Sequence, residues 1–196
     1  MIKLKDLLLE GKPPSIFIPR RIEDRVERMI RLYIRNGNKG NLNLQNLHLT
    51  KLPEILKDIT VDGDFYCGNN NLTSLENAPK SVDGSFYCDN NLLTSLKGAP
   101  KTVGGGFYCG SNKLTSLVGA PKIISEDFNC NDNHLTSLEF APKSVGYSFQ
   151  CGENLLTSLQ GAPESVGKNF YFYKNTGKFT EKDIRAVCDV KGRVYV

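Results

Sequence analysis

The sequence predicts a repeat solenoid of mixed α/β class, mostly β, with about seven coils, a parallel concave sheet, a helical N-terminal cap and a helix-strand C-terminal cap. Three observations predict it. Phe65, Phe86, Phe107, Phe128, Phe149 and Phe170 recur every 21 residues, Cys67, Cys88, Cys109, Cys130 and Cys151 keep the same interval, and an Asn stands five residues after each Phe, from Asn70 to Asn175. Self-similarity at a fixed period of roughly 20–50 residues marks arrays in which each unit buries its apolar face against its neighbours.

Within a coil, Phe and Cys lie two apart, so on an extended strand both point inward and the residue between them points outward. The inward Asn serves backbone groups in the turn after the strand, work that an apolar residue cannot do. The pairs Leu72/Leu75, Leu93/Leu96, Leu114/Leu117, Leu135/Leu138 and Leu156/Leu159 then fill the core, followed by Ala78, Ala99, Ala120, Ala141 and Ala162, small enough to keep the coil thin. Pro79, Pro100, Pro121, Pro142 and Pro163 lack an amide donor and exclude a regular helix on the back. Val61, Val82, Val103, Ile124, Val145 and Val166 re-enter the core before the next strand. The resulting pattern, F-x-C-x-x-N-x-L-x-x-L, matches the leucine-rich-repeat core with Phe and Cys at the strand positions. A divergent earlier coil, LNLQNLHLTKLPEIL, keeps Leu at Leu42, Leu44, Leu47, Leu49 and Leu52. With strands about 4.8 Å apart, seven coils span roughly 30 Å.

Each end needs a cap to close its apolar cross-section. Residues 1–41 are expected to form an arm and a capping helix, 42–177 the array, and 178–196 the closing cap. Ile22, Val26, Met29, Ile30, Tyr33 and Ile34 recur at helical spacing and stop at Asn36-Gly37. Before them, Lys3 to Leu9 reads as a short helix and KPPSIFIPRR as an extended linker. Thr180 with Asp183 reads as the start of a helix to about Val187, KGRVYV as a turn and last strand, and Phe172, standing where other coils have Cys, as a plug.

The composition is that of an ordinary folded domain: 196 residues, 39% hydrophobic and 23% charged. No apolar run is long enough to cross a bilayer, and no secretory leader pattern opens the chain. The regular spacing of the thiols reads as a buried, reduced core column and matches neither a disulfide framework nor the close pairs of a zinc site. Together these features predict a cytoplasmic protein.

Charge is uneven. Residues 1–40 hold ten Lys or Arg against five Asp or Glu, and the remainder fifteen against sixteen. Arg20, Arg21, Arg25 and Arg28 are therefore candidate contacts for an acidic partner, with Arg31 and Arg35 beyond them. Interleaving with Glu23, Asp24 and Glu27 favours a solvated helix face.

The strand face carries the main candidate site. Its central column reads Tyr66, Tyr87, Tyr108, Asn129, Gln150 and Tyr171, flanked by Asp64, Ser85, Asp127, Ser148 and Asn169 on one side and by Asp89, Asn131, Tyr173 and Lys174 on the other. Tyrosine suits protein interfaces, and a tyrosine ladder also stabilises neighbouring strands; the two roles are compatible. No phosphate-cradling, zinc-protease or serine-hydrolase motif is present. Gly68-Asn69-Asn70-Asn71 and Asn131-Asp132-Asn133 resemble calcium loops only in composition. We expect no enzyme activity, cofactor, metal, small-molecule substrate or membrane association. A protein partner is expected, with a virion component docking through the basic arm and a nucleic-acid-binding module as the alternatives.

The segments NLTSLENAPKSV, LLTSLKGAPKTV and LLTSLQGAPESV resemble the short leucine-rich repeats of tailed-bacteriophage and bacterial proteins, a likeness covering residues 42–177. It implies a curved solenoid that binds protein. IFIPRRIEDR and FTEKDIRAVCDVKGRVYV are similar to the ends of phage-encoded members, which implies a phage origin, a host factor as partner, and the bacterial host cytoplasm as location, with the virion as the alternative. The repeats also resemble those of secreted effectors that carry a ubiquitin-ligase domain. Nineteen residues follow the last repeat and Cys188-Asp189 does not replace that domain, so no ligase activity is expected.

Overall fold

A computed structural model describes residues 22–196 of the chain. The short helix expected over Lys3 to Leu9, the linker, and the candidates Arg20 and Arg21 lie outside the described residues. The first element is helix α1, Ile22–Arg35. Val26, Ile30 and Tyr33 form its buried stripe, and the Tyr33 hydroxyl donates to the backbone carbonyls of Asn38 and Gly40, tying the helix end to the first coil. Gly37, at φ +76°, turns the chain out of the helix.

The front sheet has eight parallel strands, each two residues long. Seven come from the expected coils: Leu42–Asn43 and the six Phe-containing strands from Phe65–Tyr66 to Phe170–Tyr171. The cap adds the eighth, Val194–Tyr195. Register is strict, Phe against Phe and outward residue against outward residue. All six repeat Phe rings are fully buried and contact one another in sequence, with centroids 5.1–5.7 Å apart.

All six cysteines are buried and free. Burial holds the five column thiols well above their ordinary pKa, in the protonated and unreactive form, and pushes Cys188 up to about 11.

The Asn column stitches coil to coil. Asn112 Oδ1 accepts from the Leu93 amide at 3.0 Å, while Nδ2 donates towards the carbonyls of Cys88, Cys109 and Gly110, each at 3.1 Å. Asn91, Asn133 and Asn154 repeat the pattern. Just before each ladder Asn stands a left-handed residue: Asn69, Asn90, Ser111, Asp132, Glu153 and Lys174, at φ 50–55°. That conformation turns the chain inward. Asn and Asp adopt it readily, whereas Ser111, Glu153 and Lys174 are held there by the stacked coils.

The back of the array also pairs, which periodicity did not indicate. Thr60–Val61, Ser81–Val82 and Thr102–Val103 form one short ladder, and Ile123–Ile124, Ser144–Val145, Ser165–Val166 and Asp189–Val190 a second. The division falls between Val103 and Ile124. As expected the repeat backs carry no α-helix, but the divergent first coil makes a 3-10 turn, Glu54–Asp58, directly after Pro53. Phe140, 52% exposed at φ +68°, occupies a turn position held by Gly98, Gly119 and Gly161 in other coils.

At the far end Phe172 is buried and packs edge-to-face on Phe179 at 5.4 Å, closing the last coil. Helix α2, Glu181–Val187, starts with a full capping box between Thr180 and Asp183 and buries Ile184. Arg185 donates to the carbonyls of Val190 and Gly192, holding the final strand in place.

Candidate functional site

The outward residues of the front strands form a continuous face. Tyr66, Tyr87 and Tyr108 stack with centroids 4.6 Å apart and interplanar angles of 8° and 3°. That spacing is close to the distance between neighbouring strands, so the ladder itself places the rings in contact. Asn129 and Gln150 follow, joined by an amide–amide hydrogen bond of 3.3 Å. A second stack then begins, Tyr171 on Tyr195 at 4.6 Å, so the cap extends the column by one tyrosine that the sequence reading did not assign to it.

The flanking column before each Phe is largely committed to structure. Asp64 accepts the Tyr66 hydroxyl at 2.8 Å through one oxygen and the Ser85 amide at 2.8 Å through the other. Asp127 accepts the Ser148 amide at 2.9 Å, and Ser85 Oγ accepts the Gly106 amide at 2.9 Å. Ser85 and Ser148, expected on the open flank, are buried, because each occupies the step between two coils. Asp64 and Asp127 are half-buried and retain an accessible edge. Opposite, Asp89 is half-buried and its carboxylate accepts from Asn90 at 2.7 Å.

These contacts tune the tyrosines. The hydrogen bond to Asp64 is the main cause that pushes Tyr66 up to about 12. Burial, followed by the charge of Asp127, pushes Tyr108 up to about 12, and burial also raises Tyr87. A raised folded-state pKa favours the protonated ring, so this stabilisation is complete below the ordinary value of 10.0 and is lost as pH rises through about 12. A difference titration of the native chain against Tyr66→Phe/Tyr108→Phe should therefore show the phenolate of these two rings appearing near 12 and shifting towards 10 in denaturant. Coincident native and denatured curves would show that the hydroxyls are not tethered in solution.

On the other side of the column lies a depression of about 550 Å³, lined by Tyr87, Asp89, Tyr108, Gly110, Asn131 and Tyr173 among others. It sits over the coil boundary at which the tyrosine stack ends. Periodicity missed it, because it is made by the absence of side chains at Gly110 and Gly152 and by one ring, Tyr173, leaning back across a coil: a Cβ on Gly152 would lie 2.8 Å from that ring.

The remaining candidates are dispersed. Arg25 and Arg28 are exposed on α1, where Arg28 lies beside Asp24 and Glu27, and the Glu27 carboxylate pairs with Arg31. His48 and His134 are exposed in separate coils. Among the described residues, no group of three or more His, Cys, Asp or Glu is placed to hold a metal ion, and no helix is long and apolar enough to cross a membrane.

No protein-family model and no curated protein sequence matches the chain. Among solved structures it is similar to the leucine-rich-repeat domain of a Shigella effector, with a TM-score of 0.54 over 90% of this chain and 91% of that one, at 16% sequence identity. At that identity the likeness speaks to the fold: the chain is a leucine-rich-repeat solenoid with a parallel front sheet.

Proposed function

We propose that this protein is a non-catalytic interaction scaffold that binds a protein partner on its strand face. Residues 1–41 act as arm and cap, 42–177 as the recognition array, and 178–196 as the closing cap. The observation that carries the reading is the stack of Tyr66, Tyr87 and Tyr108, whose rings are half-buried, parallel and fixed by the ladder. Their order precedes binding, so a partner meets broad aromatic area without freezing it, which is the property of interface anchors. Asp64, Asp89, Asp127, Asn129, Gln150 and Tyr171 surround the stack as the polar part of the same surface. The likeness of the repeats and of both ends to phage-encoded arrays supports a phage protein acting on a host factor.

The test is affinity capture from bacterial lysate with the full chain, with a variant carrying Tyr66→Thr, Tyr87→Thr and Tyr108→Thr, and with a chain lacking residues 1–19. Thr keeps strand preference while removing the rings. Retention of a specific protein should fall at least about tenfold in the tyrosine variant and survive removal of the arm. Capture that depends on residues 1–19 and ignores the tyrosines would instead support docking through the arm. Capture that is lost steeply with salt and is sensitive to nuclease would support nucleic-acid binding.

A further inference from the structure

We propose that the depression between Tyr108 and Tyr173 receives an arginine side chain of the protein partner, its guanidinium stacked on the uncovered face of Tyr108 and bonded to the carboxylates of the rim. This rests on the strand face being the binding surface and names the chemistry it selects.

The pocket follows from an interruption in a ladder. Rings in this column cover one another face to face, Tyr66 on Tyr87 and Tyr87 on Tyr108. The coil after Tyr108 offers Asn129, whose shorter side chain turns back to accept the Asn131 amide at 3.0 Å and to bond Gln150. Tyr108 therefore presents a ring face with no ring against it. The opposite wall is Tyr173, which lies over Gly152 and brings its hydroxyl to 3.4 Å from Asn131 Nδ2. Gly110 leaves the floor low, and a Cβ there would press on Asn129 Oδ1 at 3.1 Å. From the Tyr108 coil to the Gly152 coil is two strand spacings, roughly 10 Å, which is room for one flat group and its water.

The charge of the surroundings selects the ligand. Asp89, Asp132 and Glu153 line the depression. Lys174 neutralises Glu153 at 2.9 Å, and among the described residues no Lys or Arg forms an ion pair with Asp89 or Asp132. Further along, from three residues before each repeat Phe to four after it, the strands between Asp62 and Glu153 carry eight carboxylates and no Lys or Arg. An anion is repelled from this face, and an apolar group would remove water from the rim carboxylates without offering them a donor. A guanidinium satisfies every part: it is planar, weakly hydrated, stacks on aromatic faces, and presents donors that match carboxylates. A lysine ammonium supplies the charge without the plane.

The probe is the blocked peptide Gly-Arg-Gly-Arg-Gly, with Lys, citrulline and Glu versions as controls, titrated into the isotope-labelled full chain and followed by amide NMR. The Arg peptide should shift Gly110, Asn131 and Gly152, bind several-fold more tightly than the Lys peptide, and lose binding when citrulline removes the charge but not the shape. Asn129→Tyr continues the tyrosine column, so it is compatible with the fold, and by filling the depression it should weaken the Arg peptide at least about tenfold. Asp89→Asn with Asp132→Asn should do the same without altering the ladder. Equal binding of the Arg and citrulline peptides, unchanged binding in Asn129→Tyr, or shifts confined to other surfaces would overturn the proposal. If the Arg peptide fails while the tyrosine-to-threonine variant still loses its captured protein, the arginine site is wrong and the strand face stands. Should the peptide bind here while that variant keeps its protein, the pocket stands and the face is not the main interface.

Discussion

Replacing Asn112 by Asp should lower the urea midpoint by about 1.5–2 M at neutral pH, although the two side chains have nearly the same size. The amide oxygen of Asn112 accepts one backbone N–H and its amino group faces three carbonyl oxygens. A carboxylate keeps the acceptor and places a second oxygen against those carbonyls; they retain their other donors, Asn91 Nδ2, Asn133 Nδ2 and the Asn90 amide, but lose the one from residue 112, and a charge is enclosed beside them. Each hydrogen bond lost costs about 1 kcal/mol net, and enclosing a charge that faces acceptor oxygens costs more. A total of about 4 kcal/mol, divided by a urea dependence of about 2 kcal/mol per M, gives the stated shift. Burial disfavours the charged carboxyl, so the deficit relative to the native sequence should shrink as pH falls and the group takes up a proton that can be donated. Asn112→Leu should cost as much and show no such recovery. Tyrosine fluorescence and circular dichroism report both. A midpoint drop below about 0.5 M for Asn112→Asp would mean that the column is packing and not a hydrogen-bonded spine.

Phe107→Ala should cost about 3–5 kcal/mol and also change the form of unfolding. The Phe107 ring is fully buried and contacts Phe86 at 5.1 Å and Phe128 at 5.7 Å, so one truncation weakens two coil-to-coil interfaces in the middle of the array. In a linear array each unit touches only its neighbours, and a central defect uncouples the halves while a terminal one frays an end. The urea transition of Phe107→Ala should therefore broaden or split, whereas Phe107→Leu, which keeps most of the volume, should cost less than about 1.5 kcal/mol and stay single. Equal costs for Ala and Leu would show that the rings do not carry the coupling between coils.

Much of this molecule is legible without coordinates. The interval of the Phe and Cys columns leads directly to a parallel sheet, because equal spacing puts equal residues on equal positions of successive coils. The Asn column declares its role by chemistry, since an invariantly placed amide among apolar neighbours has only backbone to bond. Thr180 and Asp183 announce a capped helix from their own spacing, and the Val26, Ile30, Tyr33 stripe announces α1. Each of these is a relation at a fixed interval along the chain, the repeat length or the helix period, and the period carries it.

Other features depend on what the next coil presents. The back ladders consist of strands two residues long, too short to leave an alternating pattern, and they form because stacking brings Ser81 beside Thr102 and Ser144 beside Ser165. Ser85 and Ser148 look like surface residues in sequence and are buried, because the following coil covers them. Tyr66, Tyr87 and Tyr108 are equivalent as letters, yet only Tyr87 is covered by a ring on both faces, and Tyr173 becomes a wall only because Gly152 lets it lean back. The sequence by itself determined the columns, since a period assigns every residue to an inward or outward position. The tertiary structure alone decided which outward residues are covered, tethered or open, because that depends on side chains 21 residues away meeting across a gap of one strand spacing.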